Sequence, residues 1–252
     1  MPHRVDATGR RFMAPSSPAS TRPRVVVVMD GPLARVLEVV LEHGGYDGRV
    51  PAGALEFGDL LQKWAPHVVL IDFDAHPEFL KLSQSINGGV PTLVFTRRRE
   101  TALKLRAFEE GADDILRIPF LLSEIVARLY AVMRRAHGIE VPIQPRLRLD
   151  SVEVDLIEER LLLKGHEPIS LTLTEATVLY LLAANVGNVV DREDIITSIW
   201  DGVIEVESNA VDRHIRDLRV KLGDSWPSSR FIETIPGKGY RWKEPSPLDR
   251  LA

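Results

Sequence analysis

The sequence predicts two units in tandem: a doubly wound α/β unit with a parallel sheet over residues 23–136, then an α+β unit over 147–244. Three observations carry that reading. From Pro23 to Ala136, apolar runs of strand length alternate with amphipathic helical segments. The stretch "HGIEVPIQPR" (137–146) breaks the alternation with two prolines and a glycine, as a linker does. Beyond it, short alternating pieces give way to three helical segments and a final hairpin.

The elements follow in order. Residues 1–22 are rich in Arg, Pro and Ser and lack the apolar stretch of a secretory signal, so a disordered tail is expected. "RVVVVMD" is continuously apolar, as a strand covered on both faces must be. "LARVLEVVLEHGG" repeats its apolar residues at helical spacing (Leu33, Val36, Leu37, Val40, Leu41) and stops at Gly44-Gly45. "HVVLIDFD" and "PTLVFT" are further buried strands, and "RETALKLRAFEEG" is a helix. In "GADDILRIPF" Gly111 suits a helix C-cap, Asp113 and Asp114 the bend after it, and Pro119 ends the short strand between. "LLSEIVARLYAVMRRA" closes the unit as an amphipathic helix. In such sheets, sites lie beyond the C-terminal strand ends, which singles out Asp30, Asp72, Thr96 and Ile118.

In the second unit, "RLRLDSVEVDLIEERLLLKGHEPISL" reads as an antiparallel meander. Thr172 to Glu175 form a capping box for "TEATVLYLLAANVG". Asp191 is placed to cap "REDIITSIW", and Ser208 to cap "NAVDRHIRDLRVKLG". "RFIETIPGKGYRW" is two strands around a turn, and residues 245–252 are a tail.

Composition narrows the function. The 252 residues are 44% hydrophobic and 27% charged, enough apolar material for real cores. The absence of cysteine excludes disulfides, thiolate catalysis and thiolate zinc sites. No apolar run reaches membrane-spanning length, so a cytoplasmic protein with no membrane partner is expected. "PGKG" lacks the flanking residues of a P-loop, and no nucleophile–base or metal-ligand constellation stands out, so no enzyme is expected. The net charge of −4 hides a local excess. From Asn209 to Lys243 there are eight Lys/Arg against four Asp/Glu. On the helix from Asn209 to Leu222, Val211, Ile215, Leu218 and Leu222 share one face. The other carries Asn209, Arg213 and Arg216, flanked by Arg219 and Lys221. Arg and Asn are the side chains that read guanine and adenine edges in a major groove. Lys238, Tyr240 and Arg241 sit on the hairpin that follows, where a basic tip can meet phosphate.

"NAVDRHIRDLRVKLG" with "FIETIPGKGYRW" resembles the recognition helix and wing of the OmpR/PhoB-type response regulators, and "LTLTEATVLYLLAANVGNVVDREDIITSIW" resembles the two helices before them. The resemblance implies a winged-helix domain that binds duplex DNA, as a dimer on direct-repeat half-sites. "WDGVIEVES" stands where the family contacts RNA polymerase. His214 lies toward the core edge and is expected to pack rather than bind. Asp217 and Pro236 are this chain's own choices near the reading surface.

The first unit resembles a receiver domain, which implies a five-stranded sheet in flavodoxin-like order. Asp72 then holds the phosphoacceptor position and Thr96 the hydroxyl position. The rest of the apparatus departs from the pattern. Ile118 replaces the lysine that would neutralise a phosphoryl group, and Arg117, one strand position away, faces the other side. Met29 replaces one acid of the metal-holding pair, leaving Asp30, and Ile115 replaces the switch aromatic. No cofactor is expected, and Mg²⁺ binding least of all, since a thioether is a poor ligand for a hard dication. Asp30, Asp72 and Asp74 without the lysine are expected to repel one another. By resemblance, Lys104, Asp113, Asp114, Glu124 and Arg128 stand at a dimer interface, Lys104 against the partner copy's Glu124 and Arg128 against its Asp113 or Asp114.

These readings imply a DNA-binding regulator that dimerises largely without phosphorylation. Two alternatives stay open: a conventional two-component regulator switched at Asp72, and an adaptor that binds polymerase or another protein without reading DNA.

Overall fold

The structure is a computed structural model, and it describes residues 22–85, 89–141, 144, 146–149, 152–163, 166–200, 209–224 and 229–243. The expected tail 1–22 apart from its last residue, the tail 245–252, Ser208, and the loop after Trp200 lie outside the described residues. The chain divides into two compact units, with the main boundary between Ile143 and Gln144, inside the expected linker.

The first unit is the predicted parallel sheet. Its strands are β1 (Arg24–Val28), β2 (Asp47–Arg49), β3 (Val68–Asp72), β4 (Thr92–Thr96) and β5 (Asp114–Arg117), in the order β2-β1-β3-β4-β5. All pairs are parallel. The strand order switches sides after β2, with β2 on one side of β1 and β3 on the other, so a crevice opens at the C-terminal ends of β1 and β3. β1, β3 and β4 are buried at every residue, which is why their sequences run apolar without alternation. Between the strands come α1 (Gly31–His43), α2 (Ala54–Asp59, continued as a wider turn to Trp64), α3 (Pro77–Gln84), α4 (Thr101–Glu109) and α5 (Leu122–His137). Pro32 sits in the first turn of α1, where its missing N–H costs nothing, and Gly44 caps the other end.

The second unit opens with the predicted antiparallel meander: β6 (Arg146–Leu149), β7 (Val152–Asp155), β8 (Arg160–Leu162) and β9 (Ile169–Ser170). Then come α6 (Leu173–Ala184), β10 (Val189–Asp191), α7 (Arg192–Ile199) and α8 (Ala210–Leu222). β11 (Ile232–Ile235) and β12 (Gly239–Trp242) form the terminal hairpin, and β12 also pairs with β10. The capping box of α6 is complete, with Thr172 accepting from the Glu175 amide and Glu175 accepting from that of Thr172. Asp191 stands at the N-cap of α7 without a side-chain bond, and the N-cap of α8 is Asn209. A side chain on Gly239 would meet the Val190 carbonyl at 2.1 Å, so only glycine lets β12 pass this close to β10.

Candidate functional site

At the crevice of the first unit, β3 delivers Asp72 as its last residue and β4 delivers Thr96 as its last. Met29 and Ile118, expected at pocket positions, are both in the core, 2% and 1% exposed. Ile115, half-buried, packs against the cluster that holds Val26, Ile71 and Val94. Asp30 follows β1, and its carboxylate turns outward to the His76 ring, 2.7 Å from Nε2.

The acids do not simply repel one another. Arg97, the residue after Thr96, lays its guanidinium on Asp72, with Nη1 donating to Oδ1 at 3.0 Å and to Oδ2 at 2.9 Å. Asp74 Oδ2 lies 3.6 Å from the same nitrogen. Asp74 also accepts from the Arg97 amide at 2.7 Å and from the Thr96 hydroxyl at 2.8 Å. The Asp74 amide in turn donates to Asp72 Oδ1 at 3.2 Å. Asp72 at the end of β3 and Asp74 just beyond it are thus both held by Arg97 from the loop after β4, with Arg98 Nε also 3.8 Å from Asp74 Oδ1. The expectation of uncompensated acids fails because it considered the lysine position and Arg117 but not Arg97. The run "TRRRE" was the available signal, since it puts a cation directly beyond a pocket strand end.

The charges expected at an interface behave differently from one another. Arg128 donates to Asp114 Oδ2 at 2.7 Å and to Glu124 Oε1 at 2.8 Å within its own chain. Asp113 turns inward, accepting the Thr92 amide at 2.8 Å, which makes it a poor partner for another copy's arginine. Lys104 is half-buried on α4.

In the second unit, α8 buries Ala210, Val211, Ile215, Leu218 and Leu222, as its apolar stripe requires. Asn209, Arg213 and Arg216 are exposed on the other side, with Arg216 also holding Asp217 at 3.1 Å. Lys238 is exposed at the hairpin turn, where Gly237 takes φ 72. The remaining residues assigned to DNA do other work. Tyr240 is only 3% exposed, and its hydroxyl donates to Asp212 on α8. Burial and the neighbouring Asp212 push the Tyr240 phenol up to about 12. Arg192, which the sequence reading missed, donates to both Asp212 and Tyr240 at 3.0 and 3.1 Å. Burial would raise the Asp212 carboxyl, but the bonds from Tyr240 and Arg192 outweigh it and hold the group below the usual carboxylate range. Arg219 bonds the Ile232 carbonyl at 2.7 Å and the Thr234 hydroxyl at 2.9 Å. Lys221 bonds Glu175 at 2.6 Å. Arg241 pairs with Glu233 across the hairpin at 2.6 Å. Flank positions on a helix reach back to neighbouring elements, so Arg219 fastens α8 to the hairpin and Lys221 fastens it to α6, while Arg241 ties the two hairpin strands to each other. His214 stacks on Trp200 with 5.9 Å between ring centres, and burial lowers its pKa, in keeping with a packing role.

Among the described residues no helix is long and apolar enough to cross a membrane. Residues 166–242 match the family described as "Transcriptional regulatory protein, C terminal". The phosphate regulon transcriptional regulatory protein PhoB of Escherichia coli (strain K12) is 30% identical over 230 residues, covering 87% of this chain and 97% of its own length. The response regulator ArlR of Staphylococcus saprophyticus is 32% identical over 224 residues, covering 86% and 97%. The Thermotoga maritima response regulator DrrB, a solved OmpR/PhoB homologue, aligns over 88% of this chain and 100% of its own at 25% identity, with a TM-score of 0.38. The chain belongs to the OmpR/PhoB-type response regulators, DNA-binding regulators of transcription.

Proposed function

We propose that this chain regulates transcription as a homodimer on direct-repeat half-sites of duplex DNA, and that it assembles there without being phosphorylated. Arg97 is the observation that carries the second part. A phosphoryl donor reaches Asp72 only by displacing a nearly buried ion pair, with the two side chains 11% and 5% exposed. Met29 and Ile118 supply neither the oxygen nor the cation that would compensate. Mg²⁺ calls for several oxygen ligands around one point. Here the Asp72 oxygens hold Arg97, Asp30 turns to His76, and Met29 offers buried sulfur, so these residues do not fit the ion.

The DNA side of the proposal rests on Asn209, Arg213, Arg216 and Lys238, exposed cations and an amide on one helix face and one turn. Dimerisation would bring Lys104 of one copy to Glu124 of the other, and contact with RNA polymerase would use the segment after Trp200. The test is incubation with acetyl phosphate and Mg²⁺, followed by intact-mass measurement and titration of a selected DNA duplex at several salt concentrations. The expected result is no phosphoryl adduct and salt-dependent binding that the treatment leaves unchanged. A stoichiometric adduct with tighter DNA binding would make this a conventional switched regulator. No DNA binding at any salt would leave the protein-binding adaptor.

A further inference from the structure

Taken at about 100° per residue, Asn209, Arg213, Arg216 and Val220 fall within an arc of about 60° on α8. That arc is opposite the buried stripe of Val211, Ile215, Leu218 and Leu222. Val220 is 76% exposed. It is an apolar, β-branched residue in line with two arginines, on the solvent side of a helix. Neither helix propensity nor packing accounts for it, because valine loses rotamer freedom in a helix and buries nothing here. The flanking cations Arg219 and Lys221 are meanwhile tied inward, to Thr234 and Glu175. The outward surface of the helix is therefore polar at Asn209, Arg213 and Arg216 and apolar at Val220.

In a major groove, one base feature takes an apolar contact, the C5-methyl group of thymine. We propose that Val220 is a specificity-determining residue that reads a thymine methyl at one position of each half-site. The proposal rests on the DNA-binding reading and adds to it a base, a group on that base and the residue that meets it. It divides the work along α8: Arg213 and Arg216 supply hydrogen bonds to base edges or phosphate, and Val220 selects by shape and loss of water.

The experiment starts from a duplex enriched by the full chain from a randomised library. Each thymine of that duplex is then replaced in turn by deoxyuridine, which removes only the methyl group. Affinities are measured by fluorescence anisotropy for the wild type and for Val220→Ala, a substitution that favours the helix and leaves the core untouched. The wild type should lose about fourfold in affinity at one thymine per half-site, the worth of one buried carbon group. Val220→Ala should bind the thymine and uracil duplexes equally. Indifference of the wild type to every uracil, or an unchanged thymine-to-uracil ratio in Val220→Ala, overturns the inference while DNA binding stands. Failure to enrich any duplex, with no salt-dependent binding, overturns the DNA-binding reading and this inference with it.

Discussion

Arg97 Nη1 lies 3.0 and 2.9 Å from the two carboxylate oxygens of Asp72, so a substitution at Asp72 reports on an ion pair as well as on a phosphoacceptor position. Asp72→Asn keeps the shape and removes the charge, leaving Arg97 nearly buried with only Asp74 to balance it. Breaking a buried pair from one side costs about 3–5 kcal/mol, and the remaining Asp74 should bring the loss to the lower end. Urea unfolding of the first unit should show that loss. The double substitution Asp72→Asn with Arg97→Gln should be less destabilised than the sum of the singles, because it removes the stranded charge. Additive losses would show that the two side chains do not interact.

The paired-loop geometry also separates the two regulator readings. Arg97→Ala removes the cation from Asp72 without supplying a lysine or a metal-binding acid. Intact mass after acetyl phosphate and Mg²⁺ should therefore show no phosphoryl adduct in wild type or in Arg97→Ala. An adduct in Arg97→Ala alone would mean that Arg97 is the main barrier and that Met29 and Ile118 are tolerable.

On the recognition face, exposure predicts a division of labour. Arg213→Ala and Arg216→Ala should each weaken specific DNA binding by about 1–3 kcal/mol with the thermal midpoint nearly unchanged. Lys238→Ala should lower affinity across sequences and reduce the salt slope by about 1. Tyr240→Phe and Arg219→Ala should do the reverse, lowering the midpoint of the second unit. Each removes a bond that fastens α8 to the hairpin: Tyr240 to Asp212, and Arg219 to Ile232 and Thr234. A stable Arg219→Ala with lost binding would return Arg219 to the reading face.

What the sequence made legible follows from what each feature depends on. β1, β3 and β4 announce themselves because burial on both faces demands unbroken apolar residues. β2 goes unread because "DGR" at the sheet edge has two exposed residues and no pattern to show. The short helices α2 and α3 likewise carry too few turns for their periodicity to stand out. Helical spacing separated the buried and exposed faces of α8 but could not show where the flanks reach, and so Arg219 and Lys221 looked like DNA ligands; Tyr240 on β12 looked like one because its burial against α8 is a tertiary contact. The Arg97 contact depends on two loops from different strands meeting at the crevice, a tertiary fact with no local signature. Asp113 shows the same limit: its type suits an interface, yet its carboxylate is spent on the Thr92 amide.

The proposed dimer contact between Lys104 of one copy and Glu124 of the other predicts a charge-swap result. Lys104→Glu sets like charges together across the interface and should raise the dimer dissociation constant severalfold in sedimentation equilibrium. Lys104→Glu combined with Glu124→Lys should recover dimerisation in part, since Glu124 also holds Arg128 in its own chain. Arg128→Glu is a less specific probe than its sequence position suggests. It would place three acids together within one chain, with Asp114 and Glu124, and destabilise the fold as well as any interface.

Acid should destabilise the first unit through two histidines, His67 and His137. His67 on the first unit accepts the Arg24 amide at Nδ1, 3.0 Å away, so that nitrogen carries no proton. His137 donates from Nε2 to the His67 carbonyl at 2.7 Å, and the two rings meet edge to face at 5.1 Å. Burial lowers the His67 pKa to about 4, with His137 and the Arg24 charge adding to the effect, and burial lowers that of His137 as well. In the unfolded chain both imidazoles return to about 6.5. Between those values the unfolded state binds more protons than the folded one, so stability rises with pH there. It is fully present above about 6.5, falls as pH drops toward about 4, and levels off below that for His67. Urea unfolding of the first unit from pH 7.5 to 4 should show a loss on the order of 1–3 kcal/mol. His67→Gln, which cannot take up a proton, should flatten much of that slope even if it lowers stability at pH 7.5. A slope that is unchanged in His67→Gln would assign the acid sensitivity to other groups.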